Sequence, residues 1–570
     1  MANHQEKSSF IWSVCDDILR GLFKPTEYGR IILPFVVLRR LDCMLEPTKE
    51  EVYQLFEQYK DKVSDVSPII QKKTGTPYFN TSKYDLQRLK GDPTNVLMNF
   101  RNYINGYSKQ VREIIEYFNL DVLVEKLNKN KRLYQLIDKF TEIDLHPDVV
   151  NNHEMGQIYE DLLRRFSEMS NEESGDHYTP RDIVKLIVLL VFGGSKEDLE
   201  GEGKVRSMFD PCCGTGGMLS IGKEWVQKNI NPNLNIILYG QELNDITYSI
   251  CKSDMLITDE NPNNIRLGSS LSDDKFSGKT FDYMITNPPF GVSWKSEQEF
   301  VKNEEGDPNG RFFVGTPRVS DGSLLFLQHL ISKMDDKGSR IGIVFNGSPL
   351  FTGDAGSGES EIRKWIIEND WLECVVSLPD QLFFNTGIST YIWILDNKKK
   401  SNRKGKVQLI DGSSYFTTMK KSLGSKRKYI TDTHRFELYE IYQNFEDGEV
   451  SRIYPNTFFG YTKVRIEQPE LEEDGTPITK RDGSLKPDTS KRDYERIPLA
   501  EDIDEYFERE VVPHLPDSWM ERDSDKIGYD INFTKYFYKY KTPRSLTDIT
   551  DELLKLERES EGLMKQIIGE

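Results

Sequence analysis

Val205-Arg206-Ser207-Met208-Phe209-Asp210-Pro211-Cys212-Cys213-Gly214-Thr215-Gly216-Gly217-Met218 reads as a strand, a glycine-rich turn and the start of a helix. The run at 205–209 is apolar and of strand length. The glycines permit a tight turn and let the backbone approach a ligand, with the N–H groups of the helix start pointing into the site. The turn lacks the Lys-Ser/Thr of a P-loop, which disfavours a triphosphate. Outward from this stretch, short apolar runs recur at 236–239, 281–285, 341–345, 374–378 and 391–395. Most are separated by segments of helical periodicity, such as 324–334 and 362–367. Strands alternating with helices indicate an α/β architecture with a doubly wound, mostly parallel sheet, which places ligand sites at the carboxyl ends of the strands.

The second of these strands ends in Gly240-Gln241-Glu242. A carboxylate there can accept hydrogen bonds from both ribose hydroxyls of a nucleoside ligand, and a nicotinamide dinucleotide satisfies the pattern equally well. At that point a methyltransferase and a dehydrogenase both remain open. The strand Phe281-Asp282-Tyr283-Met284-Ile285-Thr286 then runs into Asn287-Pro288-Pro289-Phe290. Two consecutive prolines fix φ and donate no N–H, so they make a stiff lip. The Asn287 side-chain oxygen and the Pro288 carbonyl can both face one amino group. Accepting its two N–H bonds keeps the nitrogen lone pair out of the ring and aims it at an electrophilic methyl. Phe290 offers a stacking face for a base removed from a duplex. Asn287, Pro288, Pro289 and Phe290 are therefore the candidate catalytic residues.

At 570 residues the chain has length for several domains. Residues 1–150 read as helical, from the spacing of Ile11, Trp12, Cys15, Ile18 and Leu19 and of the apolar residues in 31–41, and carry no chemistry. Residues 151–415 hold the sheet and both motifs. Residues 416–570 form a C-terminal extension with a polar, exposed insertion at 467–493 and an amphipathic tail helix. In that tail Leu546, Ile549, Leu553, Leu556, Leu563 and Ile567 share one stripe, fit either for a coiled-coil arm onto a partner or for packing on the chain's own domain. The six cysteines have no CxxC pairing and read as reduced apolar fillers, so no metal is expected. No apolar run spans a bilayer and no secretory leader is evident, so the expected location is cytoplasmic. The balance of 75 basic against 93 acidic residues, −18 net, is unusual for a nucleic-acid enzyme. It requires either local basic patches, of which 398–406 and 420–428 are candidates, or a partner that supplies the DNA grip.

The motifs resemble those of N6-adenine DNA methyltransferases in which the glycine-rich turn precedes Asn-Pro-Pro-Phe. More narrowly, the chain resembles the modification subunit of type I restriction-modification systems. The resemblance extends to Gly175-Asp176-His177-Tyr178-Thr179-Pro180-Arg181, to Asp321-Gly322-Ser323-Leu324-Leu325-Phe326-Leu327-Gln328-His329, and to Leu378-Pro379 with Leu382-Phe383-Phe384-Asn385-Thr386-Gly387-Ile388. It implies a seven-stranded methyltransferase sheet, a helical N-terminal domain and a C-terminal helical tail. It implies S-adenosylmethionine as cofactor, contacted by Asp176, His177, Tyr178, Thr179, Pro180 and Arg181, by Asp210, Gly214, Thr215, Gly216 and Gly217, and by Glu242. Cys212-Cys213 stands where the family commonly has two smaller residues. Thr179 is expected near the methionine end, with Arg181 pairing an acid or the cofactor carboxylate; Thr179-Pro180 would equally suit a helix cap.

The partners implied are DNA, a specificity subunit bound by two modification subunits, and a restriction subunit that can join them. No histidine is placed as a general base, so direct in-line transfer is expected, with catalysis by positioning and dipoles. Methylation of another planar amine, in protein glutamine or RNA guanine, and a non-catalytic assembly role are the competing readings.

Overall fold

The strand at Val205–Asp210 (β1) is followed by β2 (Asn235–Glu242), β3 (Ile265–Leu267), β4 (Tyr283–Thr286), β5 (Arg340–Asn346), β6 (Leu372–Ser377), β7 (Thr390–Asp396) and β8 (Lys406–Asp411). A hairpin of β9 (Thr417–Leu423) and β10 (Lys426–Tyr429) comes next, then β11 (Ser451–Pro455). In this computed structural model, which describes residues 2–169, 179–538 and 545–568, nine of these strands form one sheet in the order β11-β8-β6-β7-β5-β4-β1-β2-β3. β1 to β5 pair in parallel, and β7 runs antiparallel between β5 and β6. The sheet is therefore doubly wound and mostly parallel, as the alternating pattern implies. It is longer than the seven strands expected, because β8 joins β6 in parallel and β11 adds an antiparallel edge beyond residue 415.

The strand order reverses between β1 and β4, each of which pairs with the other and then leads away in opposite directions. Such a switch point opens a crevice at the carboxyl ends of the strands. Side chains tie the two together: Thr286 Oγ1 donates to Asp210 Oδ1 at 2.7 Å, and at the other end Ser207 Oγ donates to Asp282 Oδ2 at 2.7 Å.

Helix Arg181–Gly193 crosses one face of the sheet. Its residues from Ile183 to Phe192 are apolar apart from Lys185, and the helix buries nearly its whole circumference in a cluster with helices Gly217–Asn229 and Asp432–Asn444. Close approach is essential at Gly342 in β5, where an added Cβ would stand 2.6 Å from Val191 Cγ2. The N-terminal helices have a large apolar cluster of their own, yet Ile250, Leu256 and Ile257 of helix Asp245–Ile257 belong to it. Helix Asn152–Met169 contributes Met155, Ile158, Tyr159 and Leu162 to the same cluster, and the buried Arg40 guanidinium donates to Val150 O (2.7 Å) and Asn152 Oδ1 (2.8 Å).

Beyond the main sheet, β12 (Gly460–Glu467), β13 (Asp493–Pro498) and β14 (Trp519–Tyr529) make a three-stranded antiparallel sheet in the order β13-β12-β14. Arg363 joins it to helix Gly358–Glu368 by donating to Tyr529 O (2.5 Å) while also donating to Thr352 O (2.7 Å). The polar stretch 467–493 is the mostly exposed connection between β12 and β13. Residues 1–531 form one compact unit and 532–570 another, the second dominated by helix Leu546–Ile568. Among the described residues no helix is long and apolar enough to cross a membrane, and no group of histidine, cysteine and carboxylate side chains is placed to hold a metal.

Candidate active site

A cavity of about 860 Å³ opens at the switch point, walled by the residues that follow β1, β2, β4 and β5. Its floor is the glycine-rich turn. Gly214 and Gly216 have φ of 53° and 87°, left-handed values that glycine adopts freely. At Gly216 an added Cβ would also meet Cys251 Sγ at 2.8 Å. Gly216 N–H donates to Cys213 O (2.7 Å), and Gly216 then serves as the cap from which helix Gly217–Asn229 starts. Cys213 lies beneath the turn with its Sγ 4.0 Å from Cys251 Sγ, while burial and Asp210 push the Cys212 thiol up. Neither thiol is a thiolate nucleophile.

Two carboxylates brace this floor. Glu242, at the end of β2, accepts from Gly214 N–H (2.8 Å) through Oε2 and from Asn244 N–H (2.8 Å) through Oε1. Asp210 accepts from Cys212 N–H (3.0 Å) as well as from Thr286. Burial pushes the Asp210 carboxyl up to about 7, with the Glu242 charge adding to it and those two hydrogen bonds partly opposing it. A cation bound beside it would favour the ionised form.

The opposite wall is Asn287-Pro288-Pro289-Phe290. The Asn287 amide is oriented: its Nδ2 donates to Thr179 Oγ1 at 3.0 Å, and its Oδ1 is buried without a hydrogen-bond partner among the described residues. A buried acceptor left unmade costs about 1–3 kcal/mol, so this oxygen keeps unused hydrogen-bonding capacity in a residue that lines the cavity. Phe290 stands edge to face against Phe383, ring centroids 5.8 Å apart at 82°. Phe383 also lines the cavity.

Of the residues singled out in sequence, Thr179, Arg181, Asp210, Gly214, Thr215, Gly217, Glu242, Asn287, Pro288, Pro289 and Phe290 line this one cavity. Gly216 supports the turn, and Pro180 lines a neighbouring cleft. Asp176, His177 and Tyr178 lie outside the described residues. Arg181 ion-pairs with Glu160, the acid alternative of the two considered for it. Thr179 makes no capping bond to helix Arg181–Gly193, whose N-cap is Pro180; its hydroxyl serves Asn287 instead. His329 is fully buried, and burial with the adjacent Arg311 holds its imidazole down at about 3, so it is neutral and away from the cavity. Sequence reasoning did not assign Phe383, although the stretch containing it was singled out, or Leu243, 69% exposed beside Glu242. An apolar residue directly after a ribose-type acid was the available signal.

This geometry has relatives. The model of the N-6 DNA Methylase family matches residues 150–463, more than half of the chain. The chain belongs to the N-6 DNA methylase family. The HsdM N-terminal domain model matches residues 7–140, the helical region of this methylase. Among curated proteins, the methylase is 27% identical over 460 residues to the type I restriction enzyme MjaIX methylase subunit of Methanocaldococcus jannaschii, covering 77% of each chain. It is 32% identical over 270 residues to the EcoEI methylase subunit of Escherichia coli, covering 46% of this chain and 49% of that one. In fold it is similar to the type I restriction-modification methyltransferase subunit of Streptococcus thermophilus, with a TM-score of 0.62 and 20% identity over 80% of this chain and 96% of that one.

Proposed function

We propose that this N6-adenine DNA methylase acts as the modification subunit of a type I restriction-modification complex, using S-adenosylmethionine to methylate adenine within a specific DNA sequence. The observation that carries the reading is the Asn287 oxygen, buried in the cavity wall and without a partner among the described residues, while its own nitrogen is pinned by Thr179. The relatives' names, all type I methylase subunits, support the placement in such a complex. In it, two copies of the chain bind one specificity subunit, DNA is the shared substrate, and a restriction subunit can join them in the cytoplasm.

The cavity fits the cofactor by the chemistry of its donors and acceptors. Glu242 is placed for the ribose hydroxyls, Leu243 and neighbouring apolar groups for the adenine ring, and the glycine turn for close backbone approach. Asp210, Thr179 and Arg181 are at hand for the amino acid end. Tyr178, His177 and Asp176, which precede Thr179, complete the proposed contact set. When bound, S-adenosylmethionine supplies a methyl group made electrophilic by its sulfonium.

The chain's own residues do the remainder. Asn287 Oδ1, with the Pro288 carbonyl, accepts the N–H bonds of the target amine and holds its lone pair out of conjugation. The Pro288-Pro289 corner keeps both oxygens fixed while charge shifts, so little reorganisation is needed. Phe290 and Phe383 give the extruded base an aromatic seat, and the surplus amine proton leaves to water after transfer. The division into a helical docking region (1–150), a catalytic core and a C-terminal extension belongs to the same proposal, with the core running past the expected boundary at 415 because helix Asp432–Asn444 and β11 pack into it. The test is mass spectrometry of nucleosides from DNA incubated with the chain and its specificity partner. N6-methyladenine is the expected product; modified guanine or a methylated protein instead would overturn the reading.

A further inference from the structure

Two basic stretches stand out against the net charge of −18, and the fold treats them differently. The first, 398–406, joins β7 to β8. Because β7 runs against β5, this connection lies at the amino edge of the sheet, away from the cavity. Part of its charge is consumed internally: Lys399 Nζ pairs with Asp370 at 2.7 Å, and the buried Arg403 guanidinium is 4.3 Å from the Tyr442 and Phe445 ring centroids, beside Glu373.

The second stretch is the β9–β10 hairpin, which follows the carboxyl end of β8 on the cavity's own edge. It is pinned to the loop that supplies Phe383 and Ile388 to the cavity wall. Ser425 N–H donates to Phe384 O (2.8 Å), and Arg427 N–H and Lys428 N–H both donate to Gln381 O (2.9 and 3.3 Å). Two of its cations are anchors: Lys426 Nζ pairs with Asp182 (3.1 Å) and donates to Leu382 O (2.8 Å), and Lys428 pairs with Asp380. Lys420, Lys421 and Arg427 are left over. All three are exposed, and among the described residues no carboxylate pairs with them.

Between the hairpin and helix Arg181–Gly193 runs a cleft of about 450 Å³, with Met419, Leu423 and Tyr429 on one wall and Arg181 and Lys185 on the other. Arg181 lines the catalytic cavity as well, so the two spaces adjoin. Burial lowers the affinity of Lys185 for its proton, and nearby Arg435 and Arg181 lower it further, while Asp182 and Asp432 on the same cleft pair with Lys426 and Arg435. Tyr429 is 38% exposed on the facing strand. Cations with an aromatic face beside them are the combination that tracks a nucleic-acid backbone.

We infer that the β9–β10 hairpin, with the cleft it forms against helix Arg181–Gly193, grips the DNA backbone beside the extruded adenine, and that Lys420, Lys421 and Arg427 contact phosphates. The inference rests on the function proposed above and adds the surface by which the chain itself holds its substrate.

The test uses the full-length chain in the complex it forms with its partners, and a labelled duplex of random sequence titrated over a range of salt. Three charge reversals, Lys420→Glu, Lys421→Glu and Arg427→Glu, are combined. A control of equal net charge combines Lys400→Glu, Lys404→Glu and Lys406→Glu at the opposite edge. The hairpin variant is expected to lose about tenfold or more in DNA affinity, with a salt slope shallower by roughly 2–3 and a raised KM for DNA. Its cofactor affinity should match that of the unaltered chain, and the control should stay within about threefold of it. Equal losses in both variants would reduce the effect to net charge and overturn the inference. Unaltered DNA binding by the hairpin variant, or loss of subunit assembly with DNA affinity intact, would overturn it too. Absence of N6-methyladenine from the unaltered complex, with hairpin-dependent DNA binding retained, would instead remove the proposed reaction and leave the grip standing.

Discussion

Asn287 has one amide end bonded to Thr179 and the other without a partner among the described residues, and the proposed chemistry rests on this asymmetry. In the proposed mechanism Asn287→Ala removes the acceptor for the target amine. Methyl transfer should fall about 10²–10³-fold in kcat, the scale for losing one preorganised polar group, while cofactor affinity holds. Thr179, which accepts from Asn287, is by the same proposal a positioning residue. Thr179→Val should lower kcat about tenfold, the equivalent of one hydrogen bond, and Thr179→Ser should restore it, as single-turnover rates would show. Asp210 gives a pH signature. Its carboxyl titrates near 7 because it is buried, and a cationic cofactor favours its ionised form. Below that pH, binding must first expel a proton, so cofactor affinity should fall as pH drops from about 8 to about 6 and level off above. Calorimetric titration of Asp210→Asn should give a weaker but flat profile. For the protein without cofactor the sign is reversed. The folded-state value lies above the ordinary carboxyl value, so ionising Asp210 costs stability, and that cost grows as pH rises towards 7.

At the scale of elements, the strands with continuous apolar runs were legible, because burial on both faces leaves little room for polar residues. Those less apolar were not. β3 has three residues, Ile265–Leu267, too few to register as a run. β8 carries Gln408, whose amide is spent on Ile441 O (3.0 Å) and Arg403 (3.1 Å), and β11 is Ser451–Pro455 with two polar residues in five. Edge and buried-polar strands owe their place to partners distant in sequence. The same is true of the charge network under β5. Arg340 is buried and donates to Glu373 (2.8 Å), Tyr442 Oη (2.6 Å) and Val191 O (3.1 Å), with Asp396 as a second counter-ion. Burial alone would raise the Glu373 carboxyl, but Arg340 and Arg403 hold it below the usual range. Glu373→Ala removes the carboxylate beside the buried Arg403 and leaves Arg340 with Asp396 alone as counter-ion, and should cost about 3–5 kcal/mol in chemical denaturation, with cofactor affinity of the folded fraction unchanged. In the site itself, the glycine turn, Glu242 and Asn287-Pro288-Pro289-Phe290 were readable because their spacing after strands is fixed by chemistry. The Thr179–Asn287 bond spans 108 positions, and nothing local announces it.

Across the whole molecule, the acidic balance and the amphipathic C-terminal helix suit the proposal of a chain that shares its DNA affinity with partners. Helix Leu546–Ile568 leaves Leu546 and Leu553 84% and 62% exposed. Deleting residues 545–570 should leave cofactor binding intact and abolish assembly with the specificity subunit, which native mass spectrometry would report. Retained assembly would assign the arm elsewhere. The isolated chain should likewise bind DNA more weakly than the complex does.

All of this depends on a diproline corner that presents oxygen to an amine. The most direct measurement is transfer of an isotopically labelled methyl group to DNA, with nucleosides resolved by mass spectrometry, for the unaltered complex and for Asn287→Ala with its cofactor binding verified. The expected result is label on adenine N6 with the unaltered protein and about 100-fold less or lower with the variant. Label on another base, or a variant that transfers at the unaltered rate, would contradict it.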